Sequence, residues 1–394
     1  MTETTTELVD PTTGLAAIDQ TARDIIFGAA AAGTRRNIIN LHALHAVPAS
    51  LLNRDSFGAQ KTITHGGVTR VRVSSQSWKR AMRTWIREQA VTGGAFAART
   101  NRWPAATAEI LASAHGIELD VATAKALAVF KGLGFKTTDR GTTSASIFAH
   151  QDTATRIAGV IANHLDEIGD TVPDEVITAA RTALSVANAV DLALLGRMLA
   201  EQPIGGRIDG AVSVDHATSV DPAAVLEDFF TAVDDLTPEG EAVSGNLGVS
   251  DLSAPVLYRT ACIDMDQLRR NLAGADNPEE LATAAATVMI EAFVNAVPSA
   301  KQRSSNVGTR PSLVVATTGA ARLTAHNAFT APVRGDNVIA DATTALFEVL
   351  EAQKRFGSPQ DAVALAGDPA AERAIPTAIQ KVDSLRELAH AVIK

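Results

Sequence analysis

Cysteine is almost absent from this chain of 394 residues, and aromatic side chains are few. Cys262 is the single cysteine, so no internal disulfide can form and no zinc site can draw on several thiolates. His42 and His45 would point to opposite faces of a strand, which argues against a metal ion shared between them. Aromatic residues make up 4% of the chain, and the strands lack the aromatic pattern of a base-stacking sheet. One cysteine fits a reducing cytosol, and a cytoplasmic protein is expected.

Targeting and catalytic motifs are missing as well. The first twenty residues carry acidic charge and no apolar stretch, so no secretory signal is predicted, and the run 25–33 is too short to span a bilayer. HExxH, CxxC and GxSxG do not occur, and the glycine-rich segment 131–137 lacks the spacing of a phosphate-binding loop. We therefore expect no membrane partner, no catalytic residue, no cofactor and no metal ion.

Five acidic or histidine residues leave other chemistries open. Asp234 and Asp235 are adjacent, and such a pair either binds a divalent ion or lies in a solvated turn, the commoner case. Asp209, Asp215 and His216 could form an acid–base site, although their spacing does not demand one.

Acidic residues outnumber basic ones in the whole chain, but the basic residues are concentrated in one segment. The chain has 35 basic and 44 acidic residues, a formal net charge of −9, which alone argues weakly against a nucleic-acid partner. Residues 54–87 nevertheless contain eight basic side chains against the single acid Asp55, a local charge of +7. The eight are Arg54, Lys61, Arg70, Arg72, Lys79, Arg80, Arg83 and Arg87. Such a patch is typical of a nucleic-acid contact.

The basic segment predicts a strand that runs into a capped helix. Residues 69–73 alternate strictly, so Arg70 and Arg72 would share one face of the strand. Ser74 and its neighbours offer N-caps for a helix that extends to about residue 90. The apolar side of this helix carries Trp78, Met82, Trp85 and Ile86, and the stripe beside it carries Lys79, Arg83 and Arg87.

The start of this helix predicts a phosphate-binding site. A helix N-terminus presents unpaired N–H groups and the positive end of a dipole, and contacts of this kind hold phosphates without reading sequence. A loop upstream could fold over the same place. The side chains expected to contribute are Arg54, Lys61, Ser74, Gln76, Lys79 and Arg83. The alternative is a solvated basic face whose apolar side packs on the sheet.

The rest of the chain predicts an α+β fold. Strands are expected at 37–44, 255–263 and 312–317, with a helix at 278–297. Strand, basic strand, helix and then strand, helix, strand indicate a ferredoxin-like βαββαβ core interrupted by helices. Between these parts, an alanine-rich range is helical, and a segment rich in glycine and proline predicts a protruding loop or hairpin.

Eight segments in colinear order resemble a known family. They are NIINLHAL (37–44), LLNRD (51–55), QK (60–61), VTRVRVSSQSWKRAMR (68–83), VDLALLGRM (190–198), IDGAVSVDHA (208–217), FFTAVDDL (229–236) and VPSAKQR (297–303). In combination they make the chain similar to the CasC family, the backbone subunits of the type I-E CRISPR Cascade complex.

This resemblance implies a hand-shaped subunit with a modified RRM-type palm, helical fingers and a thumb. The implied divisions are an N-terminal extension (1–36), the first part of the palm (37–92), the fingers (93–188), a palm or web segment (189–219), the thumb (220–252), and the second part of the palm with the C-terminal region (253–394).

The resemblance also implies a function without catalysis. Copies of the chain would stack head to tail along one CRISPR RNA, beside other Cascade subunits, and present the guide for pairing with target DNA. The six residues named above would grip guide phosphates, and Met198 and Phe230 would pack on bases at a flipped nucleotide. One departure is the acidic stretch 165–175, where the family's fingers can carry lysines that meet DNA. The alternative function is a related subunit that cleaves RNA with metal, through Asp215 or Asp235.

Overall fold

A computed structural model describes most of the chain. The described residues are 37–89, 96–169, 171–184, 189–196, 208–233, 244–299, 302–356 and 361–393. The predicted N-terminal extension, the adjacent carboxylates Asp234 and Asp235, and the predicted base contact Met198 lie outside these ranges.

The structure contains the following strands and helices. The strands are β1 (Ile38–Ala46), β2 (Thr62–His65), β3 (Val68–Val73), β4 (Ala97–Thr100), β5 (Thr137–Thr138), β6 (Thr142–Thr143), β7 (Ile147–His150), β8 (Val212–Val214), β9 (Ala217–Ser219), β10 (Leu226–Val233), β11 (Ser244–Leu252), β12 (Val256–Asp264), β13 (Leu313–Gly319), β14 (Asp361–Ala366) and β15 (Gln380–Lys381). The helices are α1 (Ser75–Gln89), α2 (Trp103–His115), α3 (Leu119–Gly132), α4 (Thr153–Asn163), α5 (Asp174–Leu184), α6 (Val190–Leu195), α7 (Met265–Leu272), α8 (Pro278–Asn295), α9 (Gln302–Ser305), α10 (Val338–Gln353), α11 (Pro369–Ala374) and α12 (Leu385–Val392).

A large sheet organises the chain. Its strand order is β15-β14-β13-β1-β12-β9-β3-β2, and β8 also pairs with β12. The strand β1 lies between β12 and β13 and is antiparallel to both. The order strand, helix, strand, strand, helix, strand is found along the chain in β1, α1, β8 with β9, β12, α8 and β13. This confirms the predicted α+β class, whereas the RRM-type character of the palm stays a prediction.

One face of the sheet packs against α1 and α8. No proline or glycine interrupts α1, and its buried side chains, Trp78, Met82 and Ile86, recur every four residues. They share a core with Met289 and Phe293 of α8. Each fully buried side chain of this size contributes roughly 1.5–3 kcal/mol. The packing therefore fixes which side of α1 faces the solvent.

The opposite face of the sheet is also covered by protein. Leu44 of β1 and Tyr258 of β12 join a second core with Phe329, in a short 3-10 helix at His326–Phe329, and with Leu346 of α10. All four side chains are buried. Bases therefore cannot stack on this part of the sheet, and a nucleic acid would have to bind elsewhere.

The range predicted as fingers has a core of its own. Helices α2 to α5 pack around buried residues such as Leu111 and Phe130, with Ile147 of β7. Short strands accompany these helices, with β4 paired to β7 and β5 paired to β6. The glycine-rich segment 131–137 joins α3 to the β5–β6 hairpin and is not part of a nucleotide-binding unit.

A two-stranded hairpin stands apart from the large sheet. It consists of β10 and β11, within the range predicted as the thumb. Large apolar side chains are exposed along it, among them Leu226, Phe229, Phe230 and Val249. In the part of the chain that the structure describes, no helix is both long and apolar enough to cross a membrane.

Candidate nucleic-acid interface

Three of the predicted residues form one stripe on α1. Gln76, Lys79 and Arg83 follow one another at intervals of three and four residues, which places them on the same side of a helix. Gln76 is exposed, and the other two side chains are partly exposed. We call these three residues the α1 stripe.

The α1 stripe holds positive charge that no carboxylate neutralises at short range. Among the described residues, neither Lys79 nor Arg83 has an ion pair, and the Nε of Arg83 is buried without an acceptor. Burial lowers the pKa of the Lys79 ammonium, and the nearby charge of Arg83 lowers it further. Burial also lowers the pKa of Arg83, with Asp191 acting in the opposite direction. An anion bound here would relieve this repulsion.

The start of α1 is less free than the sequence indicates. The Oγ of Ser74 accepts the Ser77 N–H at 3.3 Å, as an N-cap does, and the Ser75 N–H donates to Nδ1 of His216 at 3.2 Å. Two of the first-turn N–H groups are therefore used within the chain. Ser74 is 8% exposed and retains its hydroxyl hydrogen as a donor.

A loop brings Arg54 and Lys61 towards this helix start. The Ser74 N–H donates to Oδ1 of Asn53 at 2.9 Å, and the Asn53 carbonyl accepts the Lys61 N–H at 3.0 Å. The Lys61 carbonyl in turn accepts the N–H of Arg72 at 2.9 Å. Asn53 therefore ties both ends of the loop to the cap of α1. Sequence reasoning missed this role, although Asn53 lies within the LLNRD segment that carries the resemblance.

A groove of about 910 Å³ runs along the flank of α1 beside the stripe. Arg54, Arg80 and Arg310 contribute positive charge to its lining, and Asp55 and Glu88 contribute negative charge. Neither Lys79 nor Arg83 lines this groove, whereas the exposed Arg80 does. Arg80 lies within one helical turn of both Gln76 and Arg83, so it connects the groove with the α1 stripe.

Two members of the predicted basic patch do not contribute free charge. Arg70 is fully buried, and its guanidinium donates to the carbonyls of Ser219, Val220 and Phe329 at 2.7 to 3.0 Å. Alternation places Arg70 on the face of β3 opposite its valines, but segments from elsewhere in the chain cover that face at Arg70. Arg87 is bound to the buried Asp191 at 2.8 Å. The count of +7 therefore overstated the charge available to a ligand.

Arg72 is a further cation near the helix start. It is partly exposed, and its Nη1 lies 3.4 Å from Nδ1 of His216, the atom that also accepts the Ser75 N–H. The sequence predicts that Arg72 shares one face of the strand with Arg70. Only the fold shows that Arg72 lies beside the start of α1.

Phe230 lies on the hairpin and is 46% exposed. It pairs across the strands with Gly248, where an added Cβ would lie 2.3 Å from the Phe230 ring. The glycine thus leaves room for the end of the Phe230 ring beside the opposite strand. At the base of the hairpin, the carboxylate of Asp251 accepts the N–H of Gln60 at 2.7 Å. The hairpin and the Arg54–Lys61 loop are thereby joined.

Three of the residues considered for acid–base or metal chemistry are each bound to a side chain outside that group. Oδ2 of Asp215 lies 3.1 Å from Nε2 of His326, and this hydrogen bond lowers the pKa of the Asp215 carboxyl. His42 and His45 lie on opposite faces of β1, as predicted, and bind the Tyr258 hydroxyl and the buried Arg259 respectively. Within the described ranges no group of three histidine, cysteine, aspartate or glutamate side chains is arranged to hold a metal ion.

Comparison with known proteins gives consistent matches. Residues 39–391 match the family model described as CT1975-like protein (Cas_CT1975). A chain of a solved "CRISPR RNA-guided surveillance complex, pre-nicking" is 29% identical and superposes with a TM-score of 0.77. A chain of another "CRISPR RNA-guided surveillance complex" is 24% identical with a TM-score of 0.68, which supports the fold. Each match covers 90% of this chain and 99% of the solved one. Among curated protein sequences none matches.

The family model spans far more than half of the chain, and the solved relatives come from CRISPR surveillance complexes. The predicted resemblance to a Cascade subunit is thereby confirmed. This chain belongs to the family of CT1975-like proteins.

Proposed function

We propose that this chain is a non-catalytic subunit that binds a CRISPR guide RNA through its sugar–phosphate backbone. The observation that carries the proposal is the α1 stripe, in which Lys79 and Arg83 share one side of a helix with no carboxylate within ion-pair distance among the described residues. The partly buried positions of the two side chains strengthen their attraction for an anion. A phosphate chain supplies such anions at regular spacing.

The remaining predicted contacts extend this surface. Gln76 adds a neutral donor to the stripe, and the loop tied by Asn53 presents Lys61 beside the helix start and Arg54 in the adjacent groove. Contacts of this kind recognise backbone and shape, so sequence reading would be left to base pairing with target DNA.

Assembly along the guide is the second part of the proposal. Copies of the chain would contact one another head to tail. Such a contact repeats without closing into a ring, and it therefore generates a filament. The exposed hairpin, with Phe230 near its centre, would cross the guide and contact a displaced base. Family membership and the solved surveillance complexes favour this arrangement over a small closed oligomer.

The test is binding of single-stranded RNA by the purified chain over a range of salt concentrations. Lys79→Ala with Arg83→Ala should weaken binding and reduce the slope of log affinity against log salt by about 1.4, since each phosphate contact on a single strand contributes about 0.7. Arg102→Ala with Arg156→Ala, two cations in the range predicted as fingers, is the matched control and should leave the slope unchanged. An unchanged slope in the stripe variant would refute the proposal.

The absence of catalysis is tested separately. The assembled complex is incubated with RNA complementary to its guide in the presence of Mg²⁺. Intact RNA is expected, whereas regularly spaced cuts that vanish in Asp215→Asn would establish the RNA-cleaving alternative.

A further inference from the structure

We propose that Phe57 is a stacking platform for a nucleobase of the bound RNA, an inference that rests on the proposed function. The Phe57 side chain is 94% exposed, the largest exposed fraction among the big apolar side chains of the described residues. It projects from the loop between Arg54 and Lys61, the two predicted phosphate contacts of that loop.

The loop that carries Phe57 is ordered before any ligand arrives. Oδ1 of Asp55 accepts the N–H groups of Phe57 at 2.8 Å and of Ala59 at 3.0 Å, and the Asp55 N–H donates to the Ala59 carbonyl at 2.9 Å. Gly58 has a φ of +91°, a conformation that residues with a side chain rarely adopt. Arg54 and Gln60 close the turn as an isolated bridge. The ring is therefore presented on a fixed support, which reduces the entropy lost on binding.

The charge around the ring favours RNA over an apolar protein surface. Three arginines, Arg54, Arg80 and Arg310, and two acids, Asp55 and Glu88, line the groove that the loop borders, and Lys61 adds a further cation at the other end of the loop. Asp55 is the acid nearest in sequence, and one of its carboxylate oxygens is turned to the loop N–H groups. An aromatic ring on a loop that has a cation at each end suits a nucleotide, whose phosphates would meet the cations while its base meets the ring.

A base stacked on Phe57 would give the chain a contact to bases despite its few aromatic residues. Every base has a π-face, so the contact tolerates any guide sequence. Phosphate contacts alone would leave the bases of the guide free to rotate. One stacked base near the start of α1 would fix the register of the guide on each copy of the subunit.

The experiment compares two RNA ligands of equal length, one normal and one abasic, which keeps the sugar–phosphate chain and lacks bases. The proteins are the unaltered chain, Phe57→Ala, Phe57→Tyr and the matched control Phe356→Ala, which removes a phenylalanine that is 88% exposed elsewhere. Binding is measured by fluorescence anisotropy at several salt concentrations.

Phe57→Ala should bind normal RNA roughly 5- to 100-fold more weakly, with an unchanged salt slope, because stacking involves no counterion release. Phe57→Tyr and Phe356→Ala should bind as the unaltered chain does. On abasic RNA, Phe57→Ala and the unaltered chain should bind equally.

Three results would overturn the inference. They are normal affinity of Phe57→Ala for normal RNA, an equal loss on both ligands, and reduced self-association in sedimentation without a change in RNA affinity, which would assign Phe57 to contacts between copies. Failure of the unaltered chain to bind either RNA would instead refute the proposed function together with this inference.

Discussion

The guanidinium carbon of Arg83 lies 4.7 Å from the ring centre of Phe148. Arg83 belongs to α1, and Phe148 belongs to β7 in the range predicted as the fingers. The ring holds the cation in place without neutralising it, as a carboxylate would. The Arg83 side chain therefore carries a charge that is available to a ligand and also connects α1 to the range predicted as the fingers.

This contact predicts that arginine and lysine are not equivalent at position 83. Arg83→Lys keeps the charge but loses the planar group that stacks on the ring. We expect its RNA affinity to lie between those of the unaltered chain and Arg83→Ala, with a salt slope equal to that of the unaltered chain. Anisotropy titrations at four salt concentrations measure both quantities. Equal affinities for Arg83→Lys and Arg83→Ala would show that the charge alone does not bind the guide.

Gln76 offers a substitution with opposite effects on stability and binding. A carboxylate in the first turn of a helix is favourable, so Gln76→Glu should raise the free energy of unfolding by about 0.5 kcal/mol. The same negative charge should repel guide phosphates and weaken RNA binding. Gln89→Glu, the same change in the last turn of α1, is the control and should leave RNA binding unaltered. Tighter RNA binding by Gln76→Glu would contradict the proposed stripe.

The buried guanidinium of Arg70 should be a major source of stability. It donates to three carbonyls, and Arg70→Met would remove this donor from all of them, although the Val220 carbonyl keeps the Val333 N–H as a partner. Each unsatisfied buried acceptor costs about 1–3 kcal/mol, so the two remaining carbonyls predict a loss of about 2 kcal/mol or more. Urea unfolding measures it. Arg80→Met removes an exposed arginine and should change stability by less than about 0.5 kcal/mol. A similarly small loss in Arg70→Met would show that this role is wrong.

The buried histidines of β1 predict a loss of stability in acid. Burial lowers the pKa values of His42 and His45 to about 3, below the ordinary value of 6.5. Between these values the unfolded chain binds protons that the folded chain does not, so stability is complete above pH 6.5 and declines towards pH 3. Each histidine contributes about 1.4 kcal/mol per pH unit over that window.

Removal of one histidine should reduce this dependence on pH. In His42→Leu, the decline in unfolding free energy between pH 6 and pH 4 should become shallower by about 1.4 kcal/mol per pH unit. Urea unfolding at pH 7, 6, 5 and 4 measures the decline. His115→Leu, at an exposed position, is the control and should leave it unchanged. An unaltered decline in His42→Leu would mean that His42 is already charged in the folded protein.

Local pattern alone determined a large part of this protein. Alternation and capping residues predicted β3 and α1, and the four-residue spacing of Lys79 and Arg83 predicted their common stripe. These features depend on neighbours within a few residues, which is why the sequence reveals them. The colinear motifs predicted the family for the same reason, since they are themselves local.

Only the tertiary structure decided which charges face a ligand. The sequence pattern places Arg70 and Arg72 on the same face of β3. Segments distant in the chain nevertheless bury Arg70 and leave Arg72 partly exposed. Asn53 and Phe57 acquire their roles because the loop that contains them folds against α1. Burial and long-range hydrogen bonds join residues far apart in the chain, and no periodicity encodes such pairings. The helix could therefore be predicted from the sequence, whereas the surface that it forms with its surroundings could be described only from the fold.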